Sequence, residues 1–270
     1  MSAGSVSIPV RTSAYSAASE AGTRRVPVEA PVAIEINGVA YAVMMATPCD
    51  LEDFITGFLL SEGLAEAGEL GEIALHPLEG GEGYVARVNL PAHRAEPVLE
   101  RARRRLGDSS CGICGIESIE LALRALPPVQ ACPRARPEAI GQALKAARAL
   151  QVLGAETAAT HAAAFARNDG TIVVLREDVG RHNALDKVIG ALARQREDPA
   201  QGFLIVTSRC SYELVEKAVR AKCGLLVAIS APTDLAVRRA DAAGLTLAAI
   251  ARDDTLAWVT QLQPETTDGI

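Results

Sequence analysis

The 270-residue chain predicts a layered α/β domain preceded by a smaller α+β lobe. Three observations carry that prediction. From His161 to Ala251, short apolar runs alternate with helix-periodic segments, the pattern of βαβ units stacked into a layered sheet. Between Val28 and Gly63, two alternating runs meet at Asn37-Gly38 and lead into one amphipathic helix, a separate and smaller arrangement. The length suits one large core or two modest ones.

Hydrophobic residues make up 49% of the chain but aromatics only 3%, so the core is built from small side chains. No run approaches the roughly 18–20 consecutive apolar residues of a spanning helix, so no membrane association is expected. The N-terminal residues 1–24 are rich in Ser and Ala without a continuous apolar stretch; they read as a disordered lead-in, not a signal peptide. A reducing, cytoplasmic setting follows, in which six cysteines need not mean disulfides. The net charge of −6 argues against non-specific nucleic-acid binding.

The small lobe is expected over residues 25–105. Val28, Ala30, Val32, Ile34 and Ile36 alternate with Glu29 and Glu35, the period of a half-buried strand. Asn37-Gly38 is a hairpin signal, and Val39 to Met45 returns as the partner. Thr47-Pro48 offers a cap and a first-turn proline for a helix carrying Leu51, Phe54, Ile55, Phe58 and Leu59 on one face, stopping at Gly63. Weaker strands are expected around Ile73 and over Tyr84 to Leu90. This lobe carries no catalytic constellation and reads as a scaffold or docking unit.

The second domain is expected over 106–270. It opens on Ser109-Ser110-Cys111-Gly112-Ile113-Cys114-Gly115, two thiols on a glycine-flanked backbone that a large partner can approach closely. Such a pair serves as a redox dithiol, half of a zinc site, a reactive thiol that carries a group, or simply two buried small residues. Four arginines within Arg101 to Arg105 precede it, either a solvated helix face or a landing site for an acidic partner. A helix expected over Ile116 to Leu126 would place the thiols near its positive end, which favours thiolate. Ala139 to Leu153 reads as a helix closed by Gly154. A hairpin over His161–Arg167 and Thr171–Leu175 follows. Helices over Asn183–Arg194, Tyr212–Lys222 and Thr233–Ala243 then alternate with strands over Phe203–Thr207, Leu225–Ser230 and Leu245–Ala251.

Polar clusters fall where the carboxyl ends of those strands should lie, the place where ligands gather in such sheets. They are Arg176-Glu177-Asp178, Thr207-Ser208-Arg209, Ser230 to Thr233 and Ala251 to Asp254. The densest is Arg176-Glu177-Asp178-Val179-Gly180-Arg181-His182-Asn183. Arg181, His182 and a helix N-terminus there would suit a phosphate or pyrophosphate. Asp186 and Lys187 read as solvent-facing. His161, alone on an apolar strand, is as readily structural as active. Cys49, Cys132, Cys210 and Cys223 have no thiol close in sequence and read as core.

A structural zinc site needs about four ligands, and Cys111 and Cys114 find no second pair. The zinc nucleoside deaminases join a His- (or Cys-) x-Glu element to Pro-Cys-x-x-Cys. Here His161-Ala162-Ala163 has Ala in place of the acid–base Glu, lies after the cysteines, and no Pro precedes Cys111, which disfavours deamination. A redox dithiol stays open.

Taken together, several motifs resemble the FdhD family of formate dehydrogenase accessory sulfurtransferases, over residues 25–260 or so. They are Ser110 to Gly115, Thr160-His-Ala-Ala-Ala164, the fifteen-residue run Arg176 to Gly190, Ser211-Tyr-Glu-Leu-Val215 and Ser230 to Val237, with Thr47-Pro48 and Gly57-Phe-Leu-Leu-Ser-Glu-Gly63. The resemblance implies a cytidine deaminase-like α/β domain with a smaller N-terminal α+β lobe, usually in a homodimer. It implies a sulfur carrier that receives a persulfide from a cysteine desulfurase on Cys111, with Cys114 assisting. The sulfur then passes to the molybdenum cofactor, bis-molybdopterin guanine dinucleotide, before that cofactor enters formate dehydrogenase. No permanently bound metal is implied, and a guanine nucleotide would occupy the cofactor's place. The family's cofactor-contacting segment falls on Ile250, Ala251, Arg252, Asp253, Asp254 and Thr255, with Arg181, His182 and Arg209 as further contacts. The alternative is a chaperone that delivers the cofactor without transferring sulfur. Departures from the family pattern are Cys210 after Arg209 in the Arg-x-Ser-Tyr segment, Ser208, where Gly is usual, and Ile250 to Asp253, where an aromatic residue and a Gly are usual.

Overall fold

The computed structural model describes residues 4–13, 15, 20–95, 98, 125–131, 134–252 and 254–260. Cys111, Cys114, Cys132, Asp253, the Arg101–Arg105 cluster and most of the helix expected over 116–126 lie outside the described residues.

The N-terminal residues form a hairpin rather than the expected lead-in. Strand β1 (Ser5–Thr12) pairs antiparallel with β2 (Glu20–Pro27), Ser5 opposite Pro27 and Thr12 opposite Glu20. An isolated two-stranded ribbon is marginal in water, and this one is tied to the second domain. The Ser5 hydroxyl donates to Glu156 at 2.7 Å, and Arg25 donates to the Ser5 carbonyl at 3.2 Å. The Ser- and Ala-rich composition conceals Val6, Ile8 and Val10, which alternate along β1.

Strands β3 (Ala30–Ile36) and β4 (Val39–Ala46) follow the predicted hairpin. Asn37 and Gly38 both take positive φ (50° and 78°), the turn that matches strand twist. With β5 (Ile73–Pro77) and β6 (Tyr84–Val88) they make a sheet of order β4-β3-β6-β5. Helix α1 (Leu51–Ser61) packs Phe54, Ile55, Phe58 and Leu59 onto Val32, Ile34 and Ile36. The helix starts at Leu51, not at Pro48, because Thr47 is committed elsewhere: all three of its polar groups bond residues of the second domain, as described below.

The second domain opens with helices α2 (Pro137–Leu150) and α3 (Val152–Thr157). The expected single helix closing at Gly154 is broken at Gln151, and α3 runs through Gly154. Glu177 explains the break, since its carboxylate accepts the N–H of Leu153 at 2.8 Å and of Gly154 at 2.7 Å, supplying a second helix start. The remaining elements are β7 (His161–Arg167), β8 (Ile172–Asp178), α4 (Arg181–Gln195), β9 (Gly202–Val206) and α5 (Tyr212–Arg220). Then come β10 (Leu225–Ala228), α6 (Asp234–Ala243), β11 (Thr246–Ala249) and a short β12 (Ala257–Trp258) that the periodicity does not reveal.

Their sheet has order β12-β11-β10-β9-β7-β8, with β9, β10 and β11 parallel and β7 antiparallel to both neighbours. Helix α2 covers one face through Ile140, Ala143 and Leu144 against Phe203, Ile205 and Val227. Helices α4, α5 and α6 cover the other through Leu185, Val188, Leu214, Val215 and Ala240. This is the expected layered α/β domain with a smaller N-terminal α+β lobe.

The lobes meet where α1 crosses α4 backbone to backbone. A Cβ added to Gly57 would lie 1.7 Å from the Asp186 carbonyl oxygen, and one added to Gly190 would lie 1.9 Å from that of Asp53. Only glycine permits that approach. Asp186 and Lys187, expected at the surface, are instead buried at this junction. Lys187 Nζ lies 2.7 Å from Asp178 Oδ2 and donates to the carbonyls of Thr47 at 3.0 Å and Glu177 at 3.1 Å. Burial raises the pKa of the Asp186 carboxyl, and the Lys217 Nζ at 2.9 and 3.0 Å and the Ser61 hydroxyl at 2.6 Å pull against that rise. Burial likewise opposes the Lys217 charge, yet Asp186 and Glu62 outweigh it and its pKa is raised. Both charges are compensated because a charge buried alone would be several kcal/mol more costly.

Candidate functional site

The strand order fixes what gathers at one edge of the large sheet. The carboxyl ends of β8, β9, β10 and β11 lie at the same edge as the amino end of antiparallel β7. His161 pairs there with Asp178, and Ala163 with Val206. Four loops therefore line that edge: 179–182, 207–211, 229–233 and, among the described residues, 250–252 with 254–255. Hydrogen bonds stitch them together. The Thr207 N–H donates to the Ala162 carbonyl and its Oγ1 accepts from the Ala162 N–H at 2.9 Å. Cys210 N–H donates to Ala231 O, Thr233 N–H to Cys210 O, Ile250 N–H to Ser230 O, and Ala251 N–H to Ala228 O.

Of the dense polar run, half turns inward. Arg176 binds Asp53 at 2.7 and 2.9 Å. Glu177 caps α3. Asp178 accepts from the N–H of Thr47 (3.0 Å), the N–H of Gly180 (2.8 Å) and the side-chain amide of Asn183 (3.0 Å). The Thr47 hydroxyl oxygen accepts from the Val179 N–H at 3.2 Å, and the Asn183 amide also donates to the Met45 carbonyl at 2.8 Å. These contacts lock the 179–182 loop onto the small lobe and leave Arg181 and His182, both half-buried, at the edge. Arg209 is exposed at the end of β9.

Around Asp253, the described residues 250–252 and 254–255 are held by short-range contacts. Ile250 takes φ 52° and is 46% exposed, while Ala251 is buried. Arg252 N–H donates to the Thr255 carbonyl at 2.7 Å, and its guanidinium turns back onto the Ile229 carbonyl at 3.1 Å. Asp254 and Thr255 are exposed. The fold thus brings the loops bearing Arg181, His182, Arg209, Ile250, Ala251, Arg252, Asp254 and Thr255 to one edge, while Cys111, Cys114 and Asp253 lie outside the described residues.

Two helices begin at this edge with no side-chain cap among the described residues, α4 after Gly180 and α5 after Ser211. Their first amides, aligned with the helix dipoles, suit an anion. Ser211 would ordinarily cap α5, but its hydroxyl donates to Glu213 Oε2 at 2.9 Å. His182 Nε2 lies 3.1 Å from the same oxygen and 3.5 Å from Ser211 Oγ. The His182 contact, with Ser211 and Arg181 adding to it, holds the Glu213 carboxyl down at about 2 against its partial burial. Burial, Arg181 and His182 depress the pKa of His161, which favours its neutral imidazole. Residue-by-residue reading of the sequence gives Glu213 no role; the available signal is an acid in the first turn of a helix whose N-cap position lies two residues beyond Arg209.

The cysteines away from the Cys-x-x-Cys pair are poor nucleophiles where described. Burial raises the Cys49 thiol, pushes Cys223 up to about 11 and Cys210 up to about 12. Among the described residues no group of three His, Cys, Asp or Glu side chains could hold a metal ion, and no helix is long and apolar enough to cross a membrane. An open groove of about 700 Å³ lies at the other end of α4, lined by Asp50, Glu52, Asp53, Arg176 and Arg194. Arg176 and Arg194 are paired there with these carboxylates, so the groove offers less to a charged ligand than the sheet edge does.

Comparison with known proteins gives a consistent picture. A family model described as the FdhD/NarQ family matches residues 27–263. A protein of Xanthomonas campestris pv. campestris (strain B100), named sulfur carrier protein FdhD, is 51% identical over 229 residues, 84% of this chain and 81% of its own length. One of the same name from Variovorax paradoxus (strain S110) is 45% identical over 234 residues, 86% of this chain and 83% of its own. A crystal structure from Desulfotalea psychrophila, described as a formate dehydrogenase accessory protein, superposes with TM-score 0.77. The match covers 96% of this chain and 98% of that one at 24% identity.

Proposed function

The chain belongs to the FdhD/NarQ family, and from that premise we propose that it is a sulfur carrier serving formate dehydrogenase. In this reading the Cys111 thiolate attacks the outer sulfur of a cysteine desulfurase persulfide. The desulfurase leaves as its thiolate and Cys111 keeps the sulfur as its own persulfide. The acceptor is the molybdenum cofactor, bis-molybdopterin guanine dinucleotide, before it enters formate dehydrogenase. Cys114 assists the exchange.

One observation supports a dinucleotide client above all others. Two uncapped helix N-termini, Arg181, His182 and Arg209 share a sheet edge with residues 250–252 and 254–255, and this donor chemistry fits a pyrophosphate. The helix amides and Arg181 would hold the phosphates, and the Ile250–Thr255 segment would border the nucleoside.

GDP, which reproduces one end of that client, tests the site. Wild type is expected to bind it with an affinity that falls as salt rises. Arg181→Ala and Arg209→Ala are each expected to weaken binding by at least about tenfold, since a hydrogen bond to a charged partner contributes about 1.5–3 kcal/mol. Calorimetric titration that finds both variants equal to wild type would contradict the assignment.

A further inference from the structure

A carboxylate beside groups suited to phosphate needs an explanation, because on charge alone Glu213 repels such a ligand. Its contacts occupy only one of its two oxygens. Oε2 accepts from the Ser211 hydroxyl at 2.9 Å and lies 3.1 Å from His182 Nε2, while Oε1 meets no donor among the described residues. The side chain is 41% exposed, so a ligand can reach it. The His182 contact above all holds the carboxyl at about 2, and at neutral pH it is an acceptor with no hydrogen to give. An anchored carboxylate with one oxygen unused matches a ligand group that carries donors, which a pyrophosphate does not.

The sheet places that oxygen next to where a base would lie. Glu213 stands in the first turn of α5, which starts beyond the carboxyl end of β9. The 229–233 loop joins this start to β11: Thr233 N–H donates to Cys210 O, and Ile250 N–H donates to Ser230 O. β9 and β11 are two strand spacings apart, about 10 Å, with β10 between them. Arg181 opens α4 on the other side of α5's start, after β8. A guanine base carries two adjacent donors, N1–H and the N2 amino group. Adenine instead presents an acceptor, N1, beside its N6 amino group, and hypoxanthine keeps N1–H alone.

We propose that Glu213 is the specificity-determining residue of the nucleotide site, its carboxylate accepting the N1–H and N2–H of a guanine base that lies between the start of α5 and Ile250. The inference rests on the reading of this edge as the guanine dinucleotide site, and names the group that selects guanine there. Ser211 and His182 fix the direction of the carboxylate through Oε2, which is why Ser211 donates to Glu213 instead of capping its own helix. Arg181 takes the phosphates at the α4 end, so attraction for the base and attraction for the phosphates act at opposite ends of the nucleotide.

The test is calorimetric titration of the full-length protein with GDP, IDP and ADP at one pH and one salt concentration, for wild type, Glu213→Gln and Glu213→Ala. IDP differs from GDP only in lacking the N2 amino group. Wild type is expected to bind GDP about tenfold more tightly than IDP, the scale of one hydrogen bond to a charged acceptor, and to bind ADP more weakly still. In Glu213→Ala the ratio of GDP to IDP affinity is expected to fall to about one, through loss of GDP affinity, with Glu213→Gln in between. If Glu213 acts only as a repelling charge, both variants bind all three nucleotides more tightly by a common factor, and the proposal is overturned. If it only shapes the start of α5, both variants weaken all three equally and keep the wild-type ratio, which also overturns it. Failure of wild type to bind any of the three overturns the site reading and this inference together. Wild type that binds GDP, IDP and ADP equally well overturns this inference alone.

Discussion

Cys111→Ala is expected to bind guanine nucleotide as wild type does and yet to yield formate dehydrogenase at the background of cells lacking the protein. The loss should reach about two orders of magnitude or more, as for other residues that form the covalent intermediate. The described cysteines cannot take over. Cys210 and Cys223 are buried thiols with pKa values pushed to about 12 and about 11, and burial raises Cys49 as well. The edge proposed to bind the nucleotide is built from other loops, so nucleotide affinity should survive. This pairing of results separates three activities. A chaperone that delivers the cofactor without sulfur would retain formate dehydrogenase activation in Cys111→Ala. A dithiol reductase would be inactivated equally by Cys111→Ala and Cys114→Ala, and would accumulate a Cys111–Cys114 disulfide. A sulfur carrier loses activation with Cys111 and keeps a part of it without Cys114. The assay is formate oxidation in extracts of a complemented deletion strain, alongside GDP titration of each purified variant.

Lys187→Met is expected to destabilise the protein by about 3–5 kcal/mol, the usual cost of leaving one partner of a buried ion pair uncompensated. Lys187 and Asp178 side chains are both 0% exposed and 2.7 Å apart. The lysine also satisfies the carbonyls of Thr47 and Glu177, which lose their donor with it. Asp178 would keep the amides of Thr47, Gly180 and Asn183, but those neutral donors do not offset a buried negative charge. Urea unfolding followed by circular dichroism gives the result as a lowered midpoint with an unchanged slope. Since Asp178 holds the 179–182 loop, GDP binding should weaken even where Lys187→Met remains folded. A change below about 1 kcal/mol would show that the pair contributes little, in the manner of an exposed ion pair.

Much of this architecture is legible from local pattern. The Asn37-Gly38 turn, the face of α1 and the alternation of strands and helices after His161 each depend on residues close in sequence. Local signals fail where a residue's partner is distant. Thr47 reads as a helix cap, but its polar groups are claimed by Asp178, 131 positions away, and by Val179 and Lys187. Asp186 and Lys187 read as surface charges because nothing in their neighbourhood announces Ser61 or Lys217, which meet each other across 156 positions. The site divides the same way. Arg181 and His182 stand out through charge density at a strand-to-helix junction. Arg176, Glu177 and Asp178 look equivalent to them, yet serve the lobe interface and α3. Glu213 is invisible as a functional residue until α5 places it against His182.

Intact mass after incubation with a cysteine desulfurase and free cysteine tests the central claim most directly. Wild type is predicted to gain about 32 Da, the mass of one sulfur, to lose it on reduction, and to show no gain in Cys111→Ala. An unmodified wild-type mass in the presence of active desulfurase, or the same gain in Cys111→Ala, would contradict it.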